Sequence, residues 1–271
     1  VSSSFEVMSD GPIPKHLFSE DGHTVKLPSY VDDYHRWFYE DRAVWREMTY
    51  RGVVTYKSPM DMWNYQEILW EMRPSIVVEV GVWQGGSSLF FADVLEKLHQ
   101  GTDQPHLVLG IDVSDEHIMP EVLYHPSIQI MVQKSTSSQV LERITELREQ
   151  IGGPMFVILD GNHFRENVLL ELQMFSRLLR EGDYLIVEDS NINGHPVAPE
   201  WGPGPWEAVS EFLAHNRHAF RRDLEREMRF GFTFAPMGFL QRTNAHITIV
   251  DPLSVMGDEC EGHCPQILEH N

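Results

Sequence analysis

No apolar run in the chain approaches the roughly 20 residues that a membrane-spanning helix needs. Its start, Val1 to Pro14, has no basic stretch leading into an apolar one, so a secretory signal peptide is not expected. Basic residues are scarce: 21 Lys and Arg stand against 41 Asp and Glu, a formal charge of −20. Without a Lys/Arg-rich block nothing can neutralise a phosphate backbone, and an anionic lipid surface would repel the chain. Nucleic acid and membranes are therefore not expected partners. A small neutral, cationic or metal-assisted molecule fits better, while most of the acids serve solubility. Cysteine is nearly missing. Cys260 and Cys264 flank His263, but no second ligand pair completes a structural zinc site, so the tail reads as solvated. So few cysteines fit a reducing compartment, and the expected location is cytoplasmic. No internal repeat is present, and neither is the GxGxxG turn of dinucleotide-binding proteins.

What is present is an alternation of short apolar runs and longer amphipathic ones. Residues 1–30, rich in Ser, Gly, Pro and charge, read as an arm. Residues 31–57 carry Tyr34, Trp37, Phe38, Tyr39, Trp45, Tyr50 and Tyr56 at spacings that predict amphipathic helix, packed on the domain or on another subunit. A homo-oligomer is expected on that ground. Ser58-Pro59 opens a helix that stops before Pro74. Strands are predicted over Ser75–Val80, His106–Ile111, Ile128–Val132, Met155–Leu159 and Tyr184–Val187, with helices over Gly86–Leu98, Ser137–Ile151, Phe164–Leu179 and Trp206 to about Asn216. A last strand is expected at Ile247–Val250. This alternation predicts an α/β fold with a mostly parallel sheet covered by helices on both faces, and ligands bound outside the carboxyl ends of the strands. The organisation reads as an extension (1–57), one domain (58–250) and a tail (251–271).

The first predicted strand ends in Glu79-Val80-Gly81 and turns through Gly85-Gly86-Ser87 into a helix. Glycines let such a turn approach a ligand closely, and the helix start offers free N–H groups. The pattern is similar to the first motif of methyltransferases that use S-adenosylmethionine (SAM), with Glu79 facing the ammonium directly or through water. Asp112, ending the second strand, is placed to accept ribose hydroxyls. The plainer alternative is that glycines and acids merely fill these turns.

A second set of acids ends the fourth and fifth strands: Asp160, then Glu188 and Asp189. Three carboxylates in a partly dry cleft repel one another, and a hard divalent cation, Mg²⁺ or Mn²⁺, would relieve this. Such an ion can lower the pKa of a hydroxyl and fix its orientation. His163, three residues past Asp160 at a helix start, is placed to remove that hydroxyl's proton. It also reads as a helix cap or a supporting group, and Glu188 and Asp189 as ordinary strand-end acids. The loop from Asn191 to Pro205 follows the acids directly. Its glycines predict backbone freedom, and its Trp201, with Trp206, predicts flat surface for an acceptor, as in a lid.

The stretch from Tyr65-Gln66-Glu67-Ile68 through Glu79-Val80-Gly81, Gly85-Gly86-Ser87, Gly110-Ile111-Asp112, Leu159-Asp160, His163 and Val187-Glu188-Asp189 resembles the cephalosporin hydroxylase family. So do Gly202-Pro203-Gly204-Pro205 and the run from Phe232 to Leu240. The likeness covers roughly residues 60–242. It implies a Rossmann-like methyltransferase fold with a mostly parallel seven-stranded sheet, and a SAM- and Mg²⁺-dependent O-methyltransferase akin to rhamnosyl and macrocin-type sugar enzymes of natural-product biosynthesis, antibiotics included. It implies that Asp160, Glu188 and Asp189 hold the metal, and that His163 with Asp160 carries the chemistry. It also implies that Glu79, Gly81, Gly85, Gly86, Ser87, Asp112, Ser135 and Tyr65 face SAM. Catechol-type relatives usually carry Asp-Asn where this chain has Glu188-Asp189, so that subclass fits less well. The rivals are an oxidoreductase or true hydroxylase, for which non-haem iron would prefer two histidines and one carboxylate, and a non-catalytic SAM-binding protein.

Overall fold

A computed structural model describes residues 28–249 of the chain. The Cys260–Cys264 tail and most of the arm lie outside the described residues. The five apolar runs form parallel strands: β1 (Ile76–Val80), β2 (Leu107–Asp112), β3 (Ile128–Val132), β4 (Met155–Leu159) and β5 (Tyr184–Val187). With β6 (Phe220–Arg222) and β7 (Phe239–Arg242) they make a seven-stranded sheet of order β3-β2-β1-β4-β5-β7-β6, in which β7 runs antiparallel to both neighbours. Strand side chains alternate between two apolar layers. Ile76, Val78 and Val80 enter one, Val77 the other. A strand covered on both faces must be apolar throughout, which is why Glu79 is conspicuous as the one polar residue of β1.

Helix α1 (Ser29–Arg36) lies in the N-terminal segment and α2 (Pro59–Met72) leads into β1. The side chain of Ser58 caps α2 by accepting from Asp61 N, Pro59 fills its first turn, and Arg73 in left-handed geometry ends it before Pro74. The crossovers carry α3 (Gly86–His99), the single turn α4 (Pro120–Leu123), α5 (Ser138–Ile151) and α6 (Arg165–Phe175). Then come α7 (Pro205–Asn216) and α8 (Leu224–Met228) around β6. No helix among the described residues is long and apolar enough to cross a membrane.

Three sequence expectations change here. The aromatic segment is not one amphipathic helix. After α1 the chain makes a wide π turn (Trp37–Asp41), a 3-10 turn (Val44–Glu47) and a hairpin pairing Thr49–Tyr50 with Val53–Val54 through Arg51 and Gly52, both at positive φ. Phe38, Tyr39 and Trp45 pack against Phe232 and Phe234, so much of the aromatic surface is spent on the chain itself, leaving Tyr34 and Trp37 half exposed. No strand forms over residues 247–249. There Thr248 N donates to the Asn216 side-chain oxygen at 2.8 Å and its carbonyl accepts from the same amide at 3.0 Å, tying the segment to the end of α7. The sixth strand is instead Phe220–Arg222, an edge strand with two arginines, a charged edge that reads poorly as strand but blocks further pairing.

The third change concerns the loop from Asn191 to Pro205, which is cross-braced rather than free. Gly194 N donates to Val197 O (2.8 Å) and Val197 N to Asn191 O (3.0 Å). The Glu207 carboxylate accepts from Gly204 N and Asn193 Nδ2 and pairs with His195. From the N-terminal segment, Glu40 accepts from Ala198 N, and Arg36 donates to Pro196 O. Trp206 stacks on His195 with ring centroids 4.1 Å apart and packs against the core.

Candidate active site

Four adjacent strands deliver the predicted acids to one edge. Gly81 N donates to Ile111 O, Asp160 N to Val80 O and Glu188 N to Leu159 O, so the sheet ladder continues one step past the strands and fixes the spacing of their ends. At this edge one ligand atom each of Asp160, His163 and Asp189 lies within 4.8 Å of the others. His163 Nε2 is 3.2 Å from Asp189 Oδ2. Asp189 takes a positive φ of 53°, a strained setting for a non-glycine residue. Its neighbour Glu188 is buried and engaged elsewhere: Tyr65 Oη donates to its Oε1 at 2.7 Å, and Lys57 Nζ lies 3.3 Å from the same atom.

Lys57, which the sequence did not announce, also reaches this edge. Its ammonium is buried and lies 2.5 Å from Asp160 Oδ2 and 4.0 Å from Glu79 Oε1. Burial opposes its charge, but Asp160, Glu188 and Glu79 outweigh burial and raise its pKa. The carboxyls shift upward in turn. Burial is the main cause at Asp160, Glu188 and Asp189; Asp189 adds to it at Asp160, Asp160 at Glu188 and Glu188 at Asp189, while Lys57 pulls all three down. Only a lone lysine among five marked this position, ahead of the cap Ser58, and no spacing pattern announces such a residue.

On the other half of the edge, Asp112 Oδ2 accepts from Val82 N (2.8 Å) and Trp83 N (3.1 Å), and Oδ1 from Ser114 N (3.3 Å). It braces the glycine turn. A carboxylate has about four acceptor positions, so it retains capacity for a hydroxyl. Glu79 is fully buried. The hydroxyls of Ser87 and Ser88 bond to it, and burial pushes its pKa up to about 7 against the pull of Lys57 and the serines. Its Oε1 is buried with no hydrogen-bond partner. Gly81, at φ +85°, passes so close to β4 that a Cβ would sit 2.0 Å from the Asp160 carbonyl oxygen. Two residues expected to face SAM bond to buried acids. Tyr65 is fully buried behind Glu188, and Ser135 Oγ donates to the buried Glu171 carboxylate. Gly85 and Gly86 stand at the start of α3, pressed against Val122 of α4 and the hairpin carbonyls of Val53 and Val54. Beside the acids, Trp201 and Phe164, each about half exposed, stack with centroids 6.0 Å apart, and Trp201 lies 6.5 Å from the His163 ring.

The family described as Rhamnosyl O-methyltransferase/CmcI matches residues 42–243. The chain belongs to this family. Its relatives include the rhamnosyl O-methyltransferase of Mycobacterium leprae, 44% identical over 214 residues, 79% of this chain and 91% of the relative. That of Mycobacterium tuberculosis is 43% identical over 212 residues, 78% of this chain and 84% of the relative. Among solved structures, that of CmcI-D160 with Mg and SAM superposes with a TM-score of 0.56 at 27% identity, over 73% of this chain and 77% of that one. The enzyme is thus a SAM-dependent O-methyltransferase, and the fold and family expected from its sequence hold.

The donor set fits the two cofactors. Two partly exposed carboxylates and an imidazole converge with their charge only partly offset by Lys57, and oxygen-rich sets of this kind suit Mg²⁺ or Mn²⁺. The unpartnered Oε1 of Glu79 and the spare acceptor capacity of Asp112 fit a ligand that is cationic at one end and hydroxylated at the other.

Proposed function

We propose that the enzyme methylates a hydroxyl of a sugar, in a glycosylated natural product, using Mg²⁺ or Mn²⁺ held by Asp160, Asp189 and Glu188. The observation that carries this reading is the convergence of Asp160, His163 and Asp189 one strand away from the glycine turn. The sugar comes from the relatives, which are rhamnosyl O-methyltransferases at 43–44% identity. When bound, SAM supplies an electrophilic methyl group and the metal supplies positive charge beside the acceptor oxygen.

The chain's own residues do the rest. The turn from Gly81 through Gly85 and Gly86 to Ser87 receives the methionine end, with Glu79 beneath it, and Asp112 takes the ribose. Tyr65 and Ser135 act through Glu188 and Glu171, at one remove. His163 Nε2 accepts the acceptor's proton, and Asp189 Oδ2, 3.2 Å away, holds the resulting N–H and stabilises the imidazolium. Trp201 and Phe164 give a sugar face a flat apolar surface. The half-exposed Tyr34 and Trp37 of the N-terminal segment offer a face to a second copy, and a homo-oligomer follows, which light scattering checks.

A panel of glycosides incubated with SAM and Mg²⁺ and read by mass spectrometry tests the reading. A rhamnoside or related sugar should gain one methyl group, and His163→Ala should lower kcat by about 10²–10⁴-fold, the range for a general base, while SAM still binds. Methylation of nitrogen or carbon acceptors alone would overturn the sugar hydroxyl as substrate.

A further inference from the structure

Lys57 has a place in the site that none of the roles above explains. Three features of the chain put it there. The hairpin is locked onto α3, because the carbonyls of Val53 and Val54 press on Gly86, where a Cβ would approach them within 2.5 and 2.6 Å. Tyr56, at φ +51°, then turns the backbone. Ser58 caps α2 immediately afterwards. The lysine between these anchors runs inward, and its side chain is only 1% exposed. Its ammonium meets Asp160 at 2.5 Å and Glu188 at 3.3 Å, two of the three proposed metal ligands, with Glu79 of the cofactor half at 4.0 Å. Tyr65 holds Glu188 from the far side.

A buried ammonium is costly unless compensated, and so are several buried carboxylates. Each cures the other here. A divalent ion at the same acids would do part of the same work, and would be repelled by the ammonium at close range. We propose that Lys57 is a built-in countercation of the metal site: its ammonium holds Asp160 and Glu188 together when no divalent ion is bound and competes with that ion for both carboxylates. Lys57 is a positioning residue in this account, touching neither methyl donor nor acceptor. The inference rests on the proposed metal site and assigns the lysine a charge-tuning part in it.

An ordinary structural ion pair makes the opposite prediction. Removing it would loosen the acids and leave metal binding unchanged or weaker. A countercation makes removal favour the metal-bound state, since the metal-free state loses its neutralising partner and the bound state loses a repulsion. The test uses the full chain with Lys57→Met, which keeps the apolar stem, and Lys57→Gln, which keeps a neutral donor. Mn²⁺ binding is read by electron paramagnetic resonance, and melting is followed with and without Mg²⁺. In both variants the Mn²⁺ Kd should fall by about tenfold or more, a modest fraction of the Coulomb energy between close charges at the effective dielectric of proteins. The variants should melt well below the wild type without metal, and millimolar Mg²⁺ should close most of that gap. Equal or weaker Mn²⁺ binding, or a deficit that Mg²⁺ does not narrow, overturns the proposal. Variants that fail to fold even in Mg²⁺ overturn it as well, because the ion is then no substitute for the ammonium. If the wild type itself binds no Mn²⁺, the metal site is what fails; if the wild type binds and the variants bind no tighter, the role of Lys57 alone fails.

Discussion

Gly81 brings the turn after β1 close against the backbone of Asp160, and replacing it by alanine measures that approach. Two costs arise. The residue sits at φ +85°, where a Cβ costs roughly 1–2 kcal/mol. The new methyl would also stand 2.0 Å from the Asp160 carbonyl oxygen, a backbone atom that cannot rotate away. To relieve this, the ends of β1 and β4 must part, straining the bonds from Asp160 N to Val80 O (2.9 Å) and from Gly81 N to Ile111 O (2.8 Å). Each is worth about 0.5–1.5 kcal/mol. The total is about 2–5 kcal/mol, or roughly 4–20 °C in Tm for a domain of this size. Gly52 is the control. Its φ is +83°, but a Cβ there meets nothing within 4 Å, so Gly52→Ala carries the conformational cost alone. Calorimetric scans of both variants, with Mn²⁺ titrations, read the comparison. Gly81→Ala should melt lower than Gly52→Ala and bind Mn²⁺ more weakly because Asp160 is displaced, whereas Gly52→Ala should lose only about 2–8 °C and keep its metal affinity. Equal melting temperatures and equal metal affinity would refute the close-approach argument.

Other outcomes follow from the same geometry. Asp112→Ala should weaken SAM binding by about 1–3 kcal/mol and also lower Tm, because the carboxylate braces Val82 and Trp83; titration calorimetry that shows unchanged affinity would remove Asp112 from the cofactor site. Trp201→Ala should raise the acceptor KM about threefold to tenfold, the worth of a stacking face, while SAM affinity and Tm stay close to wild type; a large loss of Tm with a normal KM would make it a packing residue. His35, stacked on Phe232 at 4.3 Å, is pushed down to about 3 by burial and then by Arg36. Its folded pKa lies below the unfolded 6.5, so the unfolded chain binds the extra proton, and stability is lost as pH falls from 6.5 towards 3 by about 1.4 kcal/mol per unit. Glu79, Asp61 and Glu171, raised to about 7 by burial, tilt the curve the other way between the ordinary carboxyl range and 7. The difference between wild type and His35→Gln isolates the histidine: the variant should lose its share of the acid sensitivity, and parallel curves would contradict the assignment.

The sequence revealed the parts of this structure that obey a simple period. Strands covered on both faces must be apolar, so β1 to β5 stood out as runs, and the acids ending them could be placed on one edge before any coordinates. Elements at the margins followed other rules. The edge strand Phe220–Arg222 is held partly by side-chain bonds of its arginines, to Gln241 and Glu227, which no hydropathy pattern records. The aromatic segment has helical spacing, yet a π turn and residues at positive φ fold it back on the domain. At the site, adjacency in sequence did not mean adjacency in space. Glu188 and Asp189 follow one another at a strand end, and successive side chains there diverge, one inward to Lys57 and Tyr65, the other out to His163. Lys57 itself is 103 residues from Asp160, and only the fold brings them together.

The central claim is that the acids around His163 hold a divalent ion for methyl transfer to a sugar hydroxyl. Release of S-adenosylhomocysteine by protein stripped of metal, with a rhamnoside as acceptor, tests it most directly. The account predicts no turnover after chelation, full recovery with Mg²⁺ or Mn²⁺, and no recovery in Asp160→Asn. Undiminished turnover by thoroughly stripped wild-type protein would contradict it.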